Sequence, residues 1–320
     1  MEIDDVFVPS NAVKIERKTL VHPDMVFKGV VGFFALTVVV LVLWLGIQLY
    51  TSSRAAFASI GFWNFVKGTT WNPVTGEFGA LPFIYGTAVT SVLSLLIATP
   101  LGIGTAVFLA ELSPKWLRSS LQPLIELLAG IPSVIYGLWG MFVLSPLMAS
   151  TVEPFLMNKF GFLPFFKGYP LGIGFLTASI ILAIMIVPFI ISVSTEVLGT
   201  VPVPLKEGMY ALGATRWEVV KKVCLPFARS GISGSVVLAL ARALGETMAV
   251  TMVIGNTPQI SKSLFDPGYS MSAVIANEFT EATTDTYLSA LIAVAFILLL
   301  ITLLVNAVAR WLIWRTTRAK

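Results

Sequence analysis

Long apolar runs separated by short polar stretches dominate this chain, and their lengths decide what they are. A helix needs about 20 residues to cross a hydrocarbon layer of about 30 Å. Four runs, Gly29–Tyr50, Phe83–Ala110, Leu171–Thr195 and Tyr287–Ala309, hold no charged side chain. Two more carry charge within them: Ser119–Ala149 contains Glu126, and Ser230–Val253 contains Arg242 and Glu246. The pattern predicts an all-α integral membrane protein with six transmembrane helices and both termini on one side. The first run is longer than a signal-peptide core and no small-residue cleavage site follows it, so a removable signal is not expected.

The polar segments divide the rest. Residues 1–27 mix acids, bases and two prolines without an apolar period and read as a surface-lying or disordered tail, residues 28–315 form the membrane domain, and 316–320 form a second short tail. The outer loop 51–82 holds Phe62, Trp63, Phe65 and Trp71, which fits either a small folded cap or interfacial anchors. Residues 150–170 form the next outer loop. In the acidic outer loop 255–286, the stretch Met271–Glu281 predicts a short amphipathic helix lying on the bundle, and the loop offers a surface to a soluble partner.

Composition agrees with a lipid-embedded chain. Of 320 residues, 56% are hydrophobic and 12% charged, with a mean hydropathy of +0.88. With the N-terminus inside, fifteen of the 21 basic residues fall in inner segments, five fall in outer ones, and Arg242 lies within a helix. Lys and Arg accumulate in cytoplasmic loops, so both termini are expected to be cytoplasmic, and the net charge of +4 reflects topology rather than nucleic-acid binding. A single cysteine, Cys224, and a single histidine, His22, exclude a disulfide framework and a His-rich metal site.

The longest inner loop, Glu196–Arg229, carries a two-helix pattern. Pro204 suits a first helical turn. Gly213 ends that helix or brings the backbone close to a partner. Thr215 and Glu218 form a capping-box pattern for a second helix, which Pro226 is expected to stop. On spacing alone, an ordinary amphipathic loop remains the alternative. No phosphate-binding P-loop is present: Gly255–Ser263 offers Lys262-Ser263 but lacks the second glycine and lies outside. Energy for any transport must come from another polypeptide or from an ion gradient.

Arg242 and Glu246 stand four apart, which on a helix puts them on one face. Twelve residues beyond Ser230, Arg242 is expected roughly 18 Å deep, close to the midplane. Buried ionisable groups usually face a bundle interior or a water-filled path, and a guanidinium fork suits an oxyanion. A self-neutralising Arg242–Glu246 ion pair is the alternative. Glu126, nearer the inner surface, is expected to snorkel or form an inner salt bridge. In Gly130–Gly137, Pro132 and two glycines loosen the helix at about the depth of Arg242. Such a break either presents backbone groups and the Ser133 and Tyr136 hydroxyls to a substrate, or is a packing kink.

The loop spacing resembles the EAA loop of ABC importer permeases: Glu207, Gly213 six positions on, then Val223, Leu225 and Pro226. Gly208 and Met209 replace the two alanines. Gly-Ile-Pro-Ser-Val-Ile-Tyr-Gly at 130–137 and Arg-Ala-Leu-Gly-Glu-Thr-Met-Ala-Val-Thr-Met-Val-Ile-Gly-Asn at 242–256 closely resemble the PstC permeases of bacterial phosphate ABC importers. The resemblance runs from about Gly29 onward. It implies a type I ABC importer permease (MetI-like) bundle in the bacterial inner membrane, without enzyme activity, cofactor or metal of its own. Implied partners are a PstA-like permease, a PstB-like ATPase dimer that holds ATP and Mg, and a PstS-like phosphate-binding protein.

By this reading Arg242 attracts inorganic phosphate and Glu246 positions the guanidinium. Pro132, Ser133 and Tyr136 line the path, and Glu207, Gly213, Thr215, Glu218, Leu225 and Pro226 couple to the ATPase. A permease for sulfate or molybdate, or an ion-coupled secondary transporter using Arg242 and Glu246 as a charge relay, are the competing readings.

Overall fold

The structure, a computed structural model, describes residues 21–318; most of the expected N-terminal tail, 1–20, and the last two residues lie outside the described residues. The chain divides into two units, 1–48 and 49–320. Helix α1, Val21–Ser52, is apolar on every face, as a helix solvated by hydrocarbon is. It starts seven residues before Lys28, so residues 21–27 are helical rather than tail. Pro23 falls in the first turn, where a missing N–H leaves no intrahelical bond unmade.

In the second unit, α2 (Arg54–Ile60) and α3 (Phe62–Lys67) precede a two-stranded antiparallel hairpin, β1 (Trp71–Asn72) and β2 (Glu77–Phe78), with Trp71 opposite Phe78. Next come α4 (Leu81–Leu112), α5 (Lys115–Ala129), α6 (Ser133–Phe160) and α7 (Phe175–Gly199). Helix α8 (Val203–Ala211) leads into α9 (Arg216–Gly245), followed by the short α10 (Met248–Thr251), α11 (Met271–Glu278) and α12 (Asp285–Arg318). Among the described residues, six helices are long and apolar enough to span a membrane: Met25–Ser52 of α1, then α4, α6, α7, α9 and Asp285–Arg315 of α12.

Helix α7 lies at the centre, its Ile181, Leu182, Met185, Ile186 and Ile190 buried. Neighbouring helices approach it through small residues: a Cβ at Gly102 would meet Ile190 at 2.7 Å, and one at Gly231 would meet Val197 at 2.4 Å. Where apolar helices have no water to flee, such close backbone approach is what packs them. A buried Ser194–Ser235 hydroxyl pair at 2.9 Å adds a polar tie between α7 and α9.

Three expectations fail here. The third span is α6, Ser133–Phe160, rather than Ser119–Ala149: Pro132 separates it from α5, and the helix runs on into residues assigned to the outer loop 150–170. Pro226 does not stop a helix. Residues Val220–Cys224 form a π turn in which the Leu225 N–H reaches back five residues to the Val220 carbonyl. That widened turn takes the proline ring without a clash, and α9 runs on to Gly245. Arg242 and Glu246 do not share a continuous helix: the chain turns extended at Glu246 (φ −69°, ψ 130°), so the predicted fifth run is α9 plus the separate α10.

At the end where α4 begins, loop 51–82 folds as a cap, with Phe65 and Trp71 buried and Trp63 left exposed. Trp71 packs edge-on against Phe78 and Phe83, and Phe78 stacks on Tyr287. The Trp71 indole N–H (2.8 Å) and the Tyr287 hydroxyl (2.6 Å) both donate to Glu278 Oε2 on α11. The acid thereby pins the hairpin to α11 and α12. Helix α11 forms where expected but is tucked in rather than lying on the bundle, with Met271 through Val274 buried. Asn277 donates to the Tyr269 hydroxyl at 3.1 Å, and burial pushes the Tyr269 phenol above its ordinary pKa. Glu278→Ala leaves two buried donors without an acceptor, an expected loss of about 2–3 kcal/mol. Amide hydrogen exchange across residues 62–78 should speed up markedly, and unchanged protection there would refute the clamp.

Candidate functional site

The site forms where the broken third span meets the broken fifth. Positions along α7 give the levels. A Cβ at Gly199 would lie 3.6 Å from Arg118 Nη2, Gly140 faces Ile181, and Gly172 faces Ser145 and Ala149. So α5 and α6 together run antiparallel to α7, from its last turn to its first. Pro132, eight residues before Gly140, lies about 12 Å further toward the α7 C-terminus, near its middle. Helix α9 also runs antiparallel to α7, with Gly231 at Val197 and Ser235 at Ser194. Arg242, seven residues on, is about 10 Å beyond Ser235 and reaches the same middle level.

The break itself is built by Pro132, which caps α6 in extended backbone (φ −56°, ψ 135°). The Tyr136 hydroxyl donates to the Leu128 carbonyl across it at 2.9 Å. Tyr136 therefore spends its proton holding α5 to α6 rather than offering it to a substrate. Ser133 opens α6, half-exposed, and makes no side-chain bond among the described residues. Gly137 is buried against α10: a Cβ there would meet Met252 Sδ at 2.6 Å, Ala249 Cα at 3.1 Å and the Met248 carbonyl at 3.2 Å. This contact joins the 130–137 and 242–256 stretches.

Arg242 is exposed on this chain and makes no ion pair or hydrogen bond among the described residues. Glu246 is elsewhere engaged: its Oε1 accepts the Ala249 N–H at 3.2 Å, capping α10, and its carbonyl accepts the Ser272 hydroxyl at 2.6 Å. The self-neutralising pair is thus absent among the described residues, and Glu246 positions α10 and α11 rather than the guanidinium. Glu126 lies on the exposed face of α5 and accepts from Gln122 at 3.3 Å, with no salt bridge among the described residues.

The two-helix loop lies at the far end of α4, whose 32 residues put it roughly 48 Å from the cap. Pro204 sits in the first turn of α8. Gly213 takes φ +80°, which ends that helix as only glycine does readily. The capping box is present in full: Glu218 N–H to Thr215 Oγ1 at 3.3 Å, and Thr215 N–H to Glu218 Oε2 at 2.9 Å. Glu207 and Pro226 are exposed and Leu225 half-buried. Leu205, Tyr210, Leu212 and Trp217 stay exposed too, Leu212 at 84%. Four large apolar side chains thus stay uncovered on this turn.

Sequence reading missed one strut beneath this loop. Lys206 Nζ pairs with Glu111 Oε1 at 2.7 Å, both largely buried, tying α8 to the last turn of α4. The signal was the lone acid closing the second apolar run, whose partner lies 95 residues on.

A family model described as "binding-protein-dependent transport system inner membrane component" matches residues 98–318. The chain belongs to that family. A phosphate transport system permease protein PstC of Mesorhizobium japonicum is 51% identical over 296 residues, covering 91% of this chain and 90% of the relative. Its Pasteurella multocida counterpart is 46% identical, covering 91% and 92%. Among solved structures, a bacterial ABC transporter that imports the polysaccharide alginate aligns with a TM-score of 0.56 at 19% identity, covering 91% of this chain and 99% of that one. An inward-facing MetNI methionine ABC transporter aligns at 0.53 and 18% identity, covering 77% and 99%. The fold is that of type I ABC importer permeases, and the chain is a multi-pass membrane protein.

Proposed function

We propose that this chain is the permease subunit of an ATP-driven importer of inorganic phosphate. Its path runs past Arg242 between this chain and a second, PstA-like permease. The observation that carries the reading is the exposed guanidinium of Arg242, near the end of α9 and level with the middle of α7, without an ion pair among the described residues. At that depth a charge is tolerated only against a polar partner or a water-filled path. An arginine fork there attracts a tetrahedral oxyanion, and Ser133 with the backbone freed at Pro132 lines the same level. The identity to phosphate permeases over nine-tenths of the chain supports phosphate over sulfate or molybdate.

The α8–α9 turn, from Glu207 through Gly213, Thr215 and Glu218 to Leu225 and Pro226, docks on a PstB-like ATPase dimer. That dimer holds ATP and Mg and does the hydrolysis. Closure of the dimer pushes on α8, which the Lys206–Glu111 pair links rigidly to α4. Both termini are cytoplasmic and the cap faces a PstS-like receptor. A complete complex in proteoliposomes, supplied with receptor outside and ATP inside, is expected to accumulate labelled phosphate. Excess sulfate or molybdate should leave that uptake unchanged. Uptake by this chain alone on an ion gradient would overturn the importer reading, and equal competition by sulfate would overturn the substrate.

A further inference from the structure

At the loop end of the bundle, away from the proposed path, the corner between α4 and α5 faces the α8–α9 turn across a cleft of about 770 Å³. That is within the roughly 300–1,000 Å³ typical of small-molecule sites. Glu111, Leu112, Ser113, Pro114, Lys115, Tyr210 and Arg216 line it. Lys115 and Arg216 are exposed, and neither makes a hydrogen bond or ion pair among the described residues. The acid in the wall does not cancel them, because Glu111 is bonded to Lys206 and only 10% exposed.

Helix α5, 15 residues long, starts in this cleft. Pro114 O takes the N–H groups of Leu117 and Arg118, while those of Lys115 and Trp116 have no backbone partner among the described residues. Two exposed cations, the Tyr210 side chain and the first turn of α5 border this one space. Trp116, exposed at 69% beside it, is the kind of side chain that sits at a membrane–water boundary.

We propose that this cleft binds a phosphate group at the membrane surface, either the headgroup of an anionic phospholipid or free inorganic phosphate. A guanidinium, an ammonium and helix N-terminal amides are the donor set such oxygens take. Occupancy bridges the α4–α5 corner to the α8–α9 turn, so the ligand stiffens the element that meets the ATPase. The inference is independent of what crosses the membrane at Arg242.

The test uses the assembled complex in nanodiscs and reads amide exchange of residues 111–118 and 208–216. One arm compares phosphatidylcholine with phosphatidylcholine containing phosphatidylglycerol, and the other titrates inorganic phosphate into phosphatidylcholine discs. Protection by phosphatidylglycerol alone identifies a lipid site, and protection by inorganic phosphate identifies a soluble ligand. In Lys115→Gln/Arg216→Gln the midpoint should rise roughly 100-fold, from two lost charge-assisted contacts. The charge-conserving Lys115→Arg/Arg216→Lys complex should keep its protection, which separates lost charge from lost folding. No protection by either probe, or equal protection in the glutamine variant, overturns the proposal.

Discussion

Gly137→Leu is expected to abolish phosphate uptake in a complex that still assembles. The reason is local geometry. At Gly137 α6 touches α10 with no side chain between them, and two of the three atoms a Cβ would meet are backbone, at 3.1 and 3.2 Å. Met252 Sδ, at 2.6 Å, has a flexible stem and yields. The backbone of α10 does not, because Glu246 caps it and Ser272 holds the Glu246 carbonyl. Gly137→Ala asks for a shift of a few tenths of an ångström and should cost about 1–3 kcal/mol of local packing, with uptake reduced several-fold. Leucine needs several times that room, so α10 must leave its seat, and the relation between Pro132 and Arg242 goes with it. Size-exclusion chromatography of the complex and vesicle uptake together check this. Wild-type uptake in the leucine variant would show that the α6–α10 contact is incidental.

Arg242→Gln is the second large effect. Glutamine keeps hydrogen-bonding capacity and much of the length but removes the charge, so it separates attraction from packing. Because Arg242 makes no ion pair among the described residues, its removal leaves no buried carboxylate stranded there, and assembly should be intact. Uptake should fall by at least about 100-fold, the equivalent of one charge-assisted contact worth about 3 kcal/mol. Arg242→Lys, which keeps the charge and loses the fork, should fall between the two. If the glutamine variant transports normally, Arg242 is structural. If it fails to assemble, the residue belongs to the interface with the second permease.

Much of this was legible before any coordinates. The six spans follow from run length, because a lipid-facing helix must be apolar over its whole crossing. The α8–α9 turn was equally plain, since Pro204, Gly213 and the Thr215–Glu218 box act through bonds reaching at most five residues along the chain. Errors arose where a local rule met a local exception. Pro226 reads as a stop only while the preceding turn is α, and the π turn at Val220–Cys224 relieves the clash that the rule assumes. Arg242 and Glu246 read as a pair only while the helix continues. Gly245 followed by an acid three residues ahead of the Ala249 N–H is itself a capping pattern, masked by the unbroken hydropathy around it.

Lipid as solvent therefore let the amino-acid order determine the number of crossings, the break at Pro132 and the shape of the α8–α9 turn. Each of these depends on a helix satisfying its own backbone. Tertiary structure alone decided which breaks meet, that Gly137 seats α10, that Arg242 has no ion pair among the described residues, that Ser272 holds the Glu246 carbonyl, and that Lys206 finds Glu111. Those outcomes depend on distances between segments far apart in the chain. Among helices that are all apolar, hydropathy does not choose neighbours, and close packing through small residues does.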